Sequence, residues 1–219
     1  MIYKVVKCND FEIDGSLNDP QWEKTEKWEM ELPENHVPEL GPDLQEKGYV
    51  KMLHSEDFLY VGAMLEDTDV VQHGEKDQTA LYLKGDTLEL FFKPADDTYY
   101  WELYGTPNEL KTSIFYPSRA YVDLPGTKNY VPEFEVKAHI DGTFNNWQTV
   151  DKGWSIEFKL PLRVFEQYGA KFRKGSKWQF LVGRQNFSKA LPHKEISTFP
   201  KIKICHFHML NQYGILEAE

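Results

Sequence analysis

From Gly85 to Phe92 the chain reads GDTLELFF, a turn followed by strict alternation. Leu88, Leu90 and Phe92 fall on one side, and Thr87, Glu89 and Phe91 on the other, which is the period of a strand with one face in a core. YYWELYG repeats the pattern, with Trp101 and Leu103 on the core side and Tyr100, Glu102 and Tyr104 opposite. YVKMLHSEDFLYVGAMLED reads as strand, Ser-Glu-Asp turn and strand, a hairpin signal. LKTSIFYP, EFEVKAHIDGTFNNWQTV, GWSIEFKLPL, KWQFLVGRQNF and YGILEAE are further strand segments, bounded by Gly, Pro, Asn and Asp. The only helical stretch is short, around PLRVFEQYG, with Pro161 near its start and Gly169 at its end. This pattern predicts an all-β fold, an antiparallel β-sandwich with one short helix, and excludes alternating βα units. Parity puts Trp22, Trp101, Trp154 and Trp178 in the core and leaves Trp147 exposed, as a second contact or a loop anchor. Glu31 to Lys47, ELPENHVPELGPDLQEK, reads as a long loop across one end. Too little chain precedes it to form a core, so residues 1–219 are expected to form a single domain.

Composition narrows the partners. The 219 residues are 41% hydrophobic and 15% aromatic, enough for a sizeable core, and carry a net charge of −10. That acidity speaks against nucleic acid and anionic membranes, which need a basic footprint. No apolar run approaches a membrane span, and MIYKVVKCND lacks the apolar stretch of a secretory leader. The two cysteines, Cys8 and Cys205, lie near opposite ends of the chain, either tying the terminal strands together or standing as separate thiols.

Six stretches, in order, resemble the family 9 carbohydrate-binding modules: IDGSLNDPQWEKTE, DFLYVGAMLEDTDV, GDTLELFF, YYWELYG, GWSIEFKLPL and FHMLNQYGILE. Together they cover nearly the whole chain, and Asp86, Glu89 and Phe91 match the family's Asp-x-Val-Glu-x-Phe strand. The resemblance implies a DOMON-like β-sandwich that binds carbohydrate without transforming it. The implied ligand is an oligosaccharide or a plant-polysaccharide end. Such modules accompany xylanases and other secreted polysaccharide-degrading enzymes, which implies xylan among the targets, a neighbouring glycoside hydrolase, a monomeric module and a secreted or periplasmic setting. The family grips a sugar between two tryptophans. Its first ring position is Leu83 here, with Tyr82 beside it, and its second is Phe207. The carboxylate is retained as Glu89, and Glu102 replaces a basic residue on the following strand. Related modules carry calcium, and Glu66, Asp67 and Asp69 in LEDTD offer oxygen ligands for Ca²⁺, or form a solvated loop.

The residues support this binding reading beside others. Glu89 and Glu102 among Tyr82, Tyr100, Tyr104 and Phe207 would give an open or slotted face where rings cover sugar C–H groups and carboxylates accept from hydroxyls. A solvated sheet face explains the same carboxylates. As an enzyme, the chain would be a glycoside hydrolase using Glu89 and Glu102, which needs carboxyls about 5–5.5 Å apart for retention and a water-poor pocket to raise one pKa. CHFHML places His206 and His208 on one face of a strand, a spacing compatible with a metal, and His208 or Met209 is a candidate haem ligand. Gly183 marks a bulge or a close approach, which would re-aim Arg184 toward a ligand or leave it paired with a carboxylate. NFS, from Asn186, is a glycosylation sequon.

Overall fold

The computed structural model describes residues 1–119 and 133–219. Twelve strands are linked into one sheet: β1 (Ile2–Lys7), β2 (Trp28–Glu29), β3 (Gly48–His54), β4 (Phe58–Glu66), β5 (Thr87–Pro94), β6 (Tyr100–Gly105), β7 (Lys111–Tyr116), β8 (Glu135–Asp141), β9 (Gly153–Pro161), β10 (Lys177–Asn186), β11 (Glu195–Phe199) and β12 (Gly214–Ala218). The order is β7-β6-β5-β10-β12-β1-β3-β4-β9-β8, with β11 on β10 and β2 on β3. One α-helical turn, α1 (Arg163–Glu166), lies in the stretch expected to be helical.

The hairpin signal corresponds to β3 and β4, closed by Ser55, whose Oγ accepts from the Asp57 and Phe58 amides at 3.2 and 3.0 Å. Pairing is antiparallel except at β1. Its first residues run parallel to β12, and Val6 and Lys7 run parallel to β3. No short turn joins β1 to either neighbour, so no hairpin imposes an antiparallel pairing there. β1 is thereby the seam between two halves of a large, nearly closed sheet.

The halves face each other across a shared core. Leu88, Leu90, Phe92, Trp101, Leu103, Trp178, Phe180 and Val182 come from one half, and Val61, Ala63, Trp154, Ile156 and Phe158 from the other. A Cβ at Gly105 would meet the Phe158 ring at 2.5 Å, so the sheets touch there without a spacer. Trp22, Trp101, Trp154 and Trp178 are buried, and Trp147 is 66% exposed, as their flanking residues predict. Cys8 packs with Phe11, Trp22 and Tyr60, whereas Cys205 lies on the outer face of the other half, and both thiols are free.

Candidate functional site

Burying Leu88, Leu90, Phe92, Trp101 and Leu103 forces Glu89, Phe91, Tyr100, Glu102 and Tyr104 onto the outer face of β5 and β6. Sequence patterning suggests an open surface there, but the surface is roofed. Phe91, Tyr100, Tyr116, Leu181, Ile202 and Tyr213 form a second apolar cluster, packed by Phe207 and Leu210. So much aromatic surface on one sheet face favours a cover, and the connection from β11 to β12 supplies it. The cover is tied down by several bonds. Gln212 Oε1 accepts from the Lys203 and Ile204 amides at 2.8 and 2.9 Å, and Asn35 Oδ1, from the long loop after β2, accepts from the Cys205 amide at 2.7 Å. Phe207 rests on Gly183, where a Cβ would lie 2.4 Å from its ring. Gly183 is thus a point of close approach, within an unbroken β5–β10 register.

Between this cover, the 78–82 loop and the strands lies a cleft of about 400 Å³. Glu89, Glu102, Tyr82, Tyr104, Phe207 and His208 line it, together with Gln185, Tyr116, Lys194 and Cys205. Tyr100 does not reach the cleft; it is buried, stacked on Tyr116 with centroids 4.6 Å apart, and its hydroxyl meets His208 Nδ1 at 2.8 Å. Of the two positions matched to the family's tryptophans, Phe207 lines the cleft, while Leu83 points away, exposed, and leaves Tyr82 as the ring on that side.

The carboxyls form the polar floor. Glu89 and Glu102 are each 3% exposed and hydrogen-bond each other. Glu102 accepts from the Tyr104 hydroxyl at 2.7 Å and the Tyr116 hydroxyl at 2.5 Å, and Glu89 accepts from Gln185 Nε2 at 2.7 Å. Burial raises the pKa of Glu102 and lifts that of Glu89 well above the carboxylate range; for Glu89 the neighbouring Glu102 charge adds to the rise. Ionising both of two buried carboxyls in contact is disfavoured, because like charges this close repel. His208 Nε2 stands 4.0 Å from Glu102, and burial lowers the imidazole to about 4, so the ring is neutral at ordinary pH.

Other sequence-predicted residues lie elsewhere. Arg184 is 0% exposed and points to the interior side of β10, with Phe180 and Val182, because no bulge re-aims it. It donates to the Glu46 and Glu66 carbonyls at 2.9 and 2.6 Å and to Asp67 Oδ2 at 3.2 Å. Gln185, the next residue, is the one facing the cleft, and the period of two running through Leu181 and Gly183 was the signal that could have found it.

The carboxylates of Glu66, Asp67 and Asp69 serve three separate contacts. Glu66 accepts from the Lys47 amide, Asp67 from Arg184 and the Asp69 amide, and Asp69 from the Lys189 amide. Among the described residues, no group of three or more His, Cys, Asp or Glu converges on a metal position. The His-x-His segment is a turn, which removes the strand geometry that would have aligned its rings, and His206 Nδ1 instead faces the His208 amide at 3.3 Å. Asn186 of the sequon is buried and donates to Glu46, so it is closed to glycosylation in the folded chain. Among the described residues no helix is long and apolar enough to cross a membrane.

No family model and no curated protein matches the sequence. Solved structures do match in fold. A candidate carbohydrate-binding protein from Bacteroides uniformis aligns with a TM-score of 0.77 at 10% identity, over 100% of this chain and 99% of that one. A family 9 carbohydrate-binding module from Caldicellulosiruptor kristjanssonii, in complex with cellotriose, aligns with a TM-score of 0.63 at 15% identity, over 99% and 94%. The module in complex with glucose gives 0.64 at 15% identity, over 100% and 96%. The fold is therefore that of the family 9 modules which the sequence resembles.

Proposed function

We propose that this chain is a single non-catalytic carbohydrate-binding module, of β-sandwich type, that takes a saccharide into the Glu89–Glu102 cleft. The observation that carries the reading is the cleft itself. Aromatic rings from Tyr82 and Phe207 line the same 400 Å³ space as a hydrogen-bonding floor of carboxyls and Gln185, on a fold shared with modules solved in complex with cellotriose and glucose. Rings supply apolar faces for sugar C–H groups, and a few fixed polar atoms set orientation. The ligand class is an oligosaccharide or the end of a plant polysaccharide such as xylan, and the setting is polysaccharide degradation by a monomeric module beside a glycoside hydrolase.

The hydrolase alternative meets a geometric obstacle. Glu89 and Glu102 hydrogen-bond each other, so neither carboxyl is free to flank a scissile bond as a retaining pair does.

Calorimetric titration with cello- and xylo-oligosaccharides, with reducing ends assayed in the same samples, tests the reading. Heat of binding without new reducing ends is expected. Accumulating reducing ends, or no heat with any saccharide, would refute it.

A further inference from the structure

The bonding of the cleft floor leaves one atom unaccounted for. Gln185 is 6% exposed and lines the cleft. Its Nε2 donates to Glu89 Oε1 at 2.7 Å, which fixes the amide orientation because the carboxyl oxygen accepts. Its Oε1, buried, receives no hydrogen bond from the described residues. A buried amide oxygen without a donor costs roughly what a hydrogen bond contributes. The neighbouring acceptors differ: both oxygens of Glu102 are taken by Tyr104 and Tyr116. Arg184 Nε and Asn186 Oδ1, on the flanking residues of β10, are also buried without a partner among the described residues, but neither residue lines the cleft, whereas Gln185 does.

We propose that Gln185 is a specificity-determining ligand residue, whose Oε1 accepts a hydrogen bond from one hydroxyl group of a sugar held in the cleft. The proposal rests on the saccharide-binding reading above and deepens it. Glu89 acts on the same contact as a positioning residue, since its bond to Nε2 sets the orientation of the amide. A site built to accept from a hydroxyl discriminates against the sugar that lacks it, because the buried acceptor is then left unpaired. The contact therefore reads one position on the sugar ring.

The test pairs a protein variant with ligand variants. Cellobiose, xylobiose, mannobiose and galactobiose, with the monodeoxy analogues of each, are titrated into the wild type and into Gln185→Met, a near-isosteric change that removes both polar atoms. Gln185→Met is expected to bind about tenfold more weakly, the scale of one hydrogen bond. One deoxy analogue is expected to bind the wild type about tenfold more weakly than its parent, yet bind Gln185→Met as its parent does. That coupling separates direct contact from a general loosening of the cleft, which would weaken parent and analogue alike. Circular dichroism and thermal unfolding establish that the variant is folded. Should Gln185→Met fail to fold, the milder Gln185→Asn replaces it in the same cycle, as its shorter amide withdraws the oxygen from the ligand. Unchanged affinity in the folded variant, or an equal deoxy penalty in both proteins, overturns this proposal alone. A wild type that binds none of the four disaccharides overturns the saccharide-binding reading of the cleft, and this proposal with it.

Discussion

Two pairs of buried carboxyls each have one member at β5, Asp86 just before the strand and Glu89 within it, and they behave differently. At the end of the sheet Asp86 and Asp67 hydrogen-bond each other, beside the Arg184 guanidinium that pairs with Asp67. Asp86 is held by the Val71 and Phe187 amides at 2.7 and 2.8 Å. Gly85, with φ +146° and no room for a Cβ beside the Val71 carbonyl, lets the chain turn tightly into this cluster. Every one of these bonds joins one protein segment to another. In the cleft, among the described residues, Glu89 and Glu102 have no side chain in ion-pair distance other than the His208 ring, neutral at ordinary pH, and their hydrogen-bond donors are phenols and an amide. Burial alone therefore does not distinguish a structural carboxyl from one in a binding site. What distinguishes them is whether the network closes on the protein or ends at a cavity.

That contrast is sharpest at Arg184. Arg184→Met strips the cation from the end cluster and leaves the Asp67 carboxylate and the Glu46 and Glu66 carbonyls without its hydrogen bonds. A loss of about 3–5 kcal/mol is expected from breaking a buried pair, measured by urea unfolding; a loss below about 1 kcal/mol would show that the cluster is not structural. Glu89→Gln should invert the pattern. It removes a titratable carboxyl from the cleft, so the fold should be as stable as the wild type or more so, while saccharide affinity falls about tenfold or more from disruption of the hydrogen-bonding floor. Titration beside thermal unfolding checks both halves, and a destabilised variant with intact binding would erase the distinction.

Protons act on both pairs in one direction. Asp67 is raised to about 6 by burial, partly offset by Arg184, and Glu89 and Glu102 are raised by burial. The folded chain therefore binds more protons than the unfolded one. The stability these groups contribute is complete below about pH 4, the ordinary carboxylate range, and is lost as pH rises through about 6 and beyond. Unfolding midpoints measured from pH 5 to 8 should fall, by on the order of 1 kcal/mol per unit, and Glu89→Gln should flatten the slope. A rise over that interval would contradict the assignment.

Smaller effects bear on the rings. Phe207→Ala should weaken saccharide binding by about 1 kcal/mol, a several-fold change in affinity. Trp147, exposed on its loop with Lys189 Nζ 5.7 Å from the ring centroid, belongs to neither region. Trp147→Ala should change stability by no more than about 0.5 kcal/mol and leave saccharide affinity in the cleft unaltered; a marked loss of affinity would extend the binding surface to that loop.

Much of this architecture was legible in the sequence, because alternation is a local property. The period of two set Leu88, Leu90 and Phe92 against Glu89 and Phe91, and Trp101 and Leu103 against Tyr100, Glu102 and Tyr104, and each residue lies on its expected face. The same rule applied without a bulge would have passed over Arg184 and chosen Gln185. The order of strands in space, the parallel seam at β1 and the cover over the outer face were not legible. They depend on contacts between residues far apart in the chain, such as Asn35 with Cys205 and Phe207 on Gly183. The sequence by itself determined which side chains share a face of each strand, since sterics fix that within a few residues. Only the tertiary structure decided that Glu89 and Glu102 meet, lose their solvent and resist ionisation, because desolvation is created by the segments that fold over them.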